Sequence, residues 1–375
     1  MPESGVVIIG AGAAGLSAAA ALSRRGIDAT VLEQDQAIGG TWARRYDRLH
    51  LHTTREFSGL AHFPIPRRYP RYLSRDDVVG YLNEYARAFN LAVVTGATVR
   101  TVRAPQPGND WWTVRVGDAP EWRARVVVVA TGQYCQPVLP DWPGRDSYAG
   151  RLSHSIEYAD ASPYAGRRVL VVGAGNSGAE IATDLADNGA AYVALSVRTP
   201  PPLVPRDPFG MPVQRTSILL SALPPALANR LGMATVRLTV GDLTRYGFPK
   251  ARFDPYTTKR IPIIDVGLVE ALKRGRVKVK PALERLSPTG AVFTGGAGEP
   301  FDAIIAATGF STGLASLLGM PDVLDERGEP RGRAGEPTAQ PGLYFIGFTH
   351  SLRGHLFEAR RASLRLARHV ERYLR

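Results

Sequence analysis

Apolar residues recur along this chain at two spacings, and the spacing assigns the elements. Residues 6–9 are a β-branched run of strand length, 17–22 an alanine-rich helical stretch that stops near Gly26, and 29–32 a second apolar run. That order is a β-α-β unit. Residues 46–54 alternate polar and apolar, as in a short strand and loop. Residues 74–89 read as an amphipathic helix: Ser74 is placed to cap it, Asp76 and Asp77 sit in its first turn, and Val78, Leu82, Tyr85 and Phe89 share a face. Short strands are expected at 92–94 and 97–102, then a hairpin from 111–116 into 121–129. The hairpin ends in four valines, a run suited to a strand buried on both faces of a parallel sheet. The β-α-β spacing then returns, with a strand at 168–172, a helix over 181–187 ended by Asn188-Gly189, and a strand at 192–197.

From 199 to 262 the pattern is irregular and rich in proline and leucine. Residues 217–238 read as two helices broken at Pro224-Pro225, and the whole segment as a cover over a cleft. A helix entry follows at 263–273 with Asp265 as its cap. Strands at 277–279, 291–293 and 301–306 are expected in a sheet that returns to the first fold. One more strand at 342–348 and a helix over 357–374 close the chain.

Both β-α-β units carry glycine at the strand–helix turn. Gly10, Gly12 and Gly15 stand at G-x-G-x-x-G spacing, and Gly173, Gly175 and Gly178 repeat it. In such a turn the first glycine permits the bend, the second lets backbone approach a pyrophosphate, and the third lets helix pack on strand. The predicted fold class is α/β, with two Rossmann-like dinucleotide-binding domains, the second inserted in the first. The expected domains are 1–145, then 146–297 including the cover 199–262, then 298–375 as the return; the proline-rich stretch 137–143 marks the first boundary.

The strand ends carry the next signal. Glu33, followed by Gln34, ends the second strand of the first unit, where an acid accepts hydrogen bonds from ribose hydroxyls. Arg198 stands at the comparable place in the second unit, where a cation pairs with a 2′-phosphate, so that site is expected to take NADP rather than NAD. Two turns of small residues, Ala130-Thr131-Gly132 and Ala307-Thr308-Gly309, let a ligand come close, and Gly347-Phe348 ends a strand expected beside the first cofactor.

Composition narrows the classes. The chain has 375 residues, 44% of them hydrophobic, and a net charge of +12, with only five lysines among its 46 basic residues. The arginines are scattered, with no basic run interleaved with aromatics, so no nucleic-acid partner is expected. No apolar run reaches membrane-spanning length uninterrupted, and the N-terminus lacks the pattern of a signal peptide. A single cysteine, Cys135, precludes a disulfide framework or a C-x-x-C pair and suggests a cytoplasmic setting. Nothing points to a metal.

Residues 148–158 match the fingerprint F-x-G-x-x-x-H-x-x-x-[Y/F] at Gly150, His154 and Tyr158, with Tyr148 in place of the first Phe. On these residues the chain resembles the flavin-containing monooxygenases, from residue 6 to about 367. Baeyer–Villiger relatives carry Trp where Tyr158 stands. Patches at 31–33, 46–49, 51–52, 173–178, 241–242, 245–247, 265–267, 301–305 and 347–349 are similar to the YUCCA-type branch, which oxidatively decarboxylates indole-3-pyruvate. Residues 351–361 depart from that branch near the substrate end.

The resemblance implies FAD and NADPH as cofactors. It further implies hydride transfer from nicotinamide to flavin and a flavin C4a-(hydro)peroxide that oxygenates a small organic substrate with O2. FAD is expected at Gly10, Gly12, Ala13, Ala14, Gly15, Glu33 and Gln34. Gly40, Thr41, Trp42, Leu51, His52 and Thr53 should lie nearer its ring, with Ala130, Thr131, Gly132, Gly347 and Phe348 close by. NADPH is expected at Gly173, Gly175, Asn176, Ser177, Gly178, Ala179, Glu180 and Arg198, and Thr308 and Gly309 complete the cofactor contacts. His52, where other branches carry Asn, is the catalytic candidate, by a hydrogen bond to flavin, nicotinamide or peroxide oxygen; a polar loop residue with no catalytic part is the alternative. His154 is read as a structural tie between the folds, Cys135 as inert packing, and His350 and His355 as flanking the substrate end or as plain surface.

Oxidative decarboxylation of an aryl 2-oxo acid, N- or S-oxygenation of a small amine or thioether, and a flavin-carrying redox sensor all stay open, as does a homodimer. A disulfide reductase shares the two-fold layout but needs a second cysteine.

Overall fold

In the computed structural model, which describes residues 2–258 and 260–375, the chain divides into two compact units. The first gathers residues up to Arg44 with Thr53–Gln136 and Phe310–Arg375; the second gathers Arg45–His52 and Pro137–Gly309. Met1, in the expected first domain, and Lys259, in the expected cover, lie outside the described residues.

The first unit is built on a seven-stranded sheet. Glu3–Ile9 runs parallel to Ala29–Leu32 on one side and to Trp122–Val129 on the other, with Ile9 opposite both Leu32 and Val129. Val126, Val127, Val128 and Val129 are fully buried, as a strand covered on both faces requires. Each such side chain contributes about 1.5–3 kcal/mol by leaving water. The early part of that strand lies antiparallel to Trp112–Val116, closing the expected hairpin, and Leu343–Phe345 then pairs in parallel beside the last three valines. Helix Ala13–Ser23 shows almost only alanine and leucine to its surroundings and packs on the closing helix His355–Leu374. Ser17 and Ser363 share a 2.7 Å hydrogen bond between the two helices. Ser74 caps helix Arg75–Ala88 in a capping box, its Oγ accepting from Asp77 N while the Asp77 carboxylate accepts from Ser74 N.

The second unit carries a five-stranded parallel sheet. Arg168–Val172 sits at its centre, between Tyr192–Ser196 and Ala303–Ala306, and Val277–Lys280 and Arg151–His154 form the edges. The expected returning sheet is therefore divided. Ala303–Ala306 belongs to the second unit because its apolar run fits beside the buried Val169, Leu170, Val171 and Val172, and Ala307 N extends that ladder to Val172 O at 2.8 Å. Gly290–Phe293 is in a separate antiparallel sheet with Leu283–Ser287 and Gly298–Pro300. The chain rejoins the first unit at Phe310, not at 298.

Helices Val213–Leu220 and Pro225–Thr239 flank Pro224 as the pattern suggested. Residues 263–273 split into strand Ile263–Asp265 and helix Leu268–Lys273, with Asp265 Oδ1 accepting from Gly267 N and Val269 N. Residues 46–54 form turns and loop rather than a strand. Cys135 is exposed rather than packed, because it lies in the connection that leaves the sheet after Trp122–Val129. No described helix is long and apolar enough to cross a membrane.

Candidate functional site

The turn after the first strand is built alike in both units. Gly10 has φ +105° and Gly173 φ +108°, where L side chains are strained. A Cβ on Gly10 would stand 2.7 Å from the carbonyl oxygen of Ala130, and one on Gly173 2.5 Å from that of Ala307. A Cβ on Gly15 or Gly178 would stand 1.9 Å from the carbonyl oxygen of Gly10 or Gly173. Gly12 and Gly175 differ. Their φ values are −75° and −83°, and a Cβ on either meets nothing within 4 Å. The chain itself requires the first and third glycines, whereas the second leaves open space at a helix start. Neither helix has a side-chain cap there, so the first-turn amides are left for an anion.

The same contacts explain the two Ala-Thr-Gly turns. Ala130 backs Gly10 and Gly15, and Ala307 backs Gly173 and Gly178. Thr308 and Gly309 thus lie in the second unit, on the other side of the division from the return to which sequence reasoning assigned them.

In the first unit, the predicted residues gather at the C-terminal ends of the parallel strands. Glu33 is buried; its Oε2 accepts from Ala11 N at 2.6 Å and its Oε1 from Asp35 N at 3.0 Å. That fixes the carboxylate at the glycine turn while a carboxylate keeps capacity for further donors. A Cβ on Gly347 would come 2.9 Å from the Ala14 side chain, which puts the turn carrying Phe348 against the helix start. Gly40, Thr41 and Trp42 form the short helix Gly40–Ala43, where a Cβ on Gly40 would stand 2.2 Å from Asp35 Oδ2. Thr53 accepts a hydrogen bond from Ser58. The Thr131 hydroxyl, Gln133 Oε1 and Asp35 Oδ2 are buried without a hydrogen-bond partner. Three orphaned polar atoms following the ends of the two strands that flank Glu3–Ile9 fit a polar ligand at that edge.

In the second unit the backbone gives a strict correspondence. Gly10 N donates to Leu32 O, and Gly173 N donates to Ser196 O. Glu33 is thus matched by Val197, which is buried, and Gln34 by Arg198, which is exposed. The arginine sits one residue beyond the acid's position. Arg260 Nη2 donates to Thr199 O at 2.9 Å and brings a second guanidinium to the same loop. Sequence reasoning missed Arg260 because it is remote in the chain and sits in the irregular segment.

Leu51 and His52 also fall in the second unit, apart from Gly40–Trp42 with which they were grouped. His52 Nε2 lies 2.7 Å from Glu180 Oε1, in the first turns of helix Asn176–Asp187, and Glu180 is only 3% exposed. The Tyr46 hydroxyl bonds both Glu180 and Ser177; burial first, and then the Glu180 charge, hold its phenol well above the ordinary range. Asn176 Oδ1 accepts from Ile264 N at 2.7 Å. A buried carboxylate is tolerable only when so satisfied. The alternation read as a strand at 46–54 is the spacing that delivers Tyr46 and His52 to this helix.

The fingerprint is a set of ties within the second unit. The Tyr148 hydroxyl donates to Phe301 O at 2.9 Å, and burial pushes its phenol up to about 12. A Cβ on Gly150 would stand 2.8 Å from Asp302 O. His154 Nδ1 accepts from Ile156 N and its Nε2 lies 3.1 Å from Gly309 O, so the ring is a neutral tautomer; burial keeps it below the ordinary histidine range. The Tyr158 hydroxyl donates to Asp184 Oδ2 at 2.6 Å, with both residues buried. Together they hold strand Arg151–His154, the Ala307-Thr308-Gly309 turn and helix Asn176–Asp187. The two histidines expected at the substrate end separate: His355 in the first unit lies 3.1 Å from Gln133 Nε2 and is pushed down by burial, while His350 is exposed beside Glu329.

A sequence model of the flavin-binding monooxygenase-like family matches residues 3–318. Indole-3-pyruvate monooxygenase YUCCA1 of Oryza sativa subsp. japonica is 38% identical over 354 residues, covering 92% of this chain and 86% of that protein. Indole-3-pyruvate monooxygenase YUCCA6 of Arabidopsis thaliana is 35% identical over 375 residues, covering 96% and 89%. Among solved structures, a flavin-containing monooxygenase from Stenotrophomonas maltophilia matches with TM-score 0.75 at 26% identity and covers 100% of both chains.

Proposed function

We propose, from the premise that the chain belongs to the flavin-binding monooxygenase-like family, that this FAD- and NADPH-dependent monooxygenase oxidatively decarboxylates an aryl 2-oxo acid. One observation carries the substrate class: relatives named for indole-3-pyruvate align over more than nine-tenths of the chain. In the overall reaction one oxygen atom of O2 enters the carboxylate that remains, the original carboxyl leaves as CO2, and the other oxygen leaves as water. FAD, reduced by NADPH, supplies the two-electron activation of dioxygen.

We assign FAD to the first unit. The open face at Gly12 and the uncapped amides from Ala13 onward suit its pyrophosphate, and the held carboxylate of Glu33 suits a ribose. The buried orphans at Thr131 and Gln133 suit polar atoms farther along the ligand. NADPH is assigned to the second unit, with its pyrophosphate at Gly175 and its 2′-phosphate between Arg198 and Arg260. His52 is held by Glu180 through Nε2, which leaves Nδ1 to hydrogen-bond a ligand. A cytoplasmic setting is supported by the lone cysteine.

The test is turnover of purified, FAD-loaded protein with NADPH and a panel of indole-3-pyruvate, phenylpyruvate, small amines and thioethers. Oxygen uptake matched to CO2 release and one NADPH per acid supports the proposal. Products from amines or thioethers alone would assign N- or S-oxygenation instead. NADPH oxidation with no oxygenated product from any of them would favour the redox sensor.

A further inference from the structure

We propose that the outer face of helix Pro225–Thr239, with the turn and helix before it, docks on an anionic membrane surface. Of the twelve large apolar side chains exposed among the described residues, seven lie between 209 and 238, including Phe209 at 74%, Leu219 at 62% and Leu238 at 77%. Isolated exposed leucines are ordinary, but a concentration of this kind in one segment marks a contact surface.

The helix itself defines the face. Its inward side is set by Ala228 and Gly232, both buried, and a Cβ on Gly232 would stand 2.5 Å from the Phe253 ring. At about 100° per residue, Leu227, Leu231 and Leu238 fall within about 40° of one another on the outer side. All three are exposed. Arg230 and Arg237 run along one flank of that stripe and are exposed as well. The helix also packs against the Pro208–Gly210 turn that carries Phe209, so the apolar surface extends past one helix.

Charge selects the occupant. No acidic residue occurs between Asp207 and Asp242, whereas Arg215, Arg230 and Arg237 do. Two copies of this face would bring like charges together. A surface of anionic lipid offers the opposite sign to the arginines, which keep their heads at headgroup level, and an apolar boundary to the leucines. No described helix is long and apolar enough to span, so the contact lies on the bilayer rather than through it.

The experiment is flotation of the full-length, FAD-loaded protein with vesicles of phosphatidylcholine, alone or mixed with phosphatidylglycerol. The bound fraction is expected to rise roughly tenfold on the mixed vesicles. Leu231→Ser with Leu238→Ser should return it to the phosphatidylcholine level, and Arg230→Ser with Arg237→Ser should lower it several-fold, with circular dichroism and bound flavin unchanged. If the leucine pair impairs folding, the arginine pair alone decides. Equal binding to both vesicle types overturns the proposal. So does flotation of the leucine variant like the parent, which would assign binding to the general basic surface. A dimer split by the leucine variant, with no vesicle binding, would give the face to a second copy.

Discussion

The two glycine turns share a backbone and an open second glycine, and differ at the strand end and in the first turns of the helix. In each, a positive-φ glycine lies under an alanine carbonyl and a third glycine lies under the first. Around that common frame, the first unit has a buried carboxylate clamped by Ala11 N and Asp35 N and a helix that opens on alanines. The second has a buried valine, then an exposed arginine, and a helix whose first turns are polar and held by Tyr46, His52 and Ile264. The bend is thus dictated by steric contact within the chain, while the nucleotide assignment proposed above rests on the strand end and the first helical turns. These two layers should respond separately to mutation.

The largest effects are expected where the frame is struck. Gly15→Ala and Gly178→Ala each drive a methyl into a backbone carbonyl, and each should lower stability by about 1–3 kcal/mol. Thermal melts read this, and a midpoint equal to the parent's in either variant would break the claim that the frame is steric. Next comes Arg198→Ala combined with Arg260→Ala. It should raise the KM for NADPH by roughly ten- to a hundredfold, leave that for NADH unchanged and leave flavin content intact. Equal losses for both nucleotides would remove the 2′-phosphate from this loop.

Gly12→Ala and Gly175→Ala sharpen the contrast most cleanly. Both sites have ordinary φ and open space, so stability should stay within about 0.5 kcal/mol of the parent or rise slightly. The first variant should lose about tenfold in FAD affinity and the second about tenfold in NADPH affinity, each sparing the other ligand; titration of apoprotein and steady-state kinetics would tell. The smallest effect concerns pH. Burial holds His154 in the second unit and His355 in the first below the ordinary value near 6.5. The unfolded chain therefore binds their protons first, and the stability they contribute is present above about pH 6.5 and lost as pH falls through the folded values. His154→Gln and His355→Gln should each flatten the fall in melting temperature between about pH 7 and about pH 5, and an unaltered slope in both would refute this.

Much of this was legible from spacing alone. The glycine turns, the four-valine strand, the Ser74 cap and the helices around Pro224 all rest on local periodicity or on residues a few positions apart, and they stand where the pattern put them. What could not be read was partnership between distant segments. Ala303–Ala306 is a short apolar strand of a kind that suits either sheet, and only its long-range pairing with Arg168–Val172 decides. Arg260 meets Thr199, and His52 meets Glu180, through loops with no period to follow. Glu33 and Arg198 are near-equivalents by counting, and the single-residue offset emerges only from the ladder hydrogen bonds.

The short excursion Arg45–His52 has a consequence for how this protein can be divided. The backbone passes from one unit to the other four times, and this passage delivers Tyr46 and His52 to a carboxylate encoded far downstream. A fragment cut at Pro137 and Gly309 would retain every strand of its own sheet yet strand Glu180 without its two donors. Modular exchange with another protein must therefore carry the distant eight-residue loop along, so that inheritance here travels as two pieces rather than one.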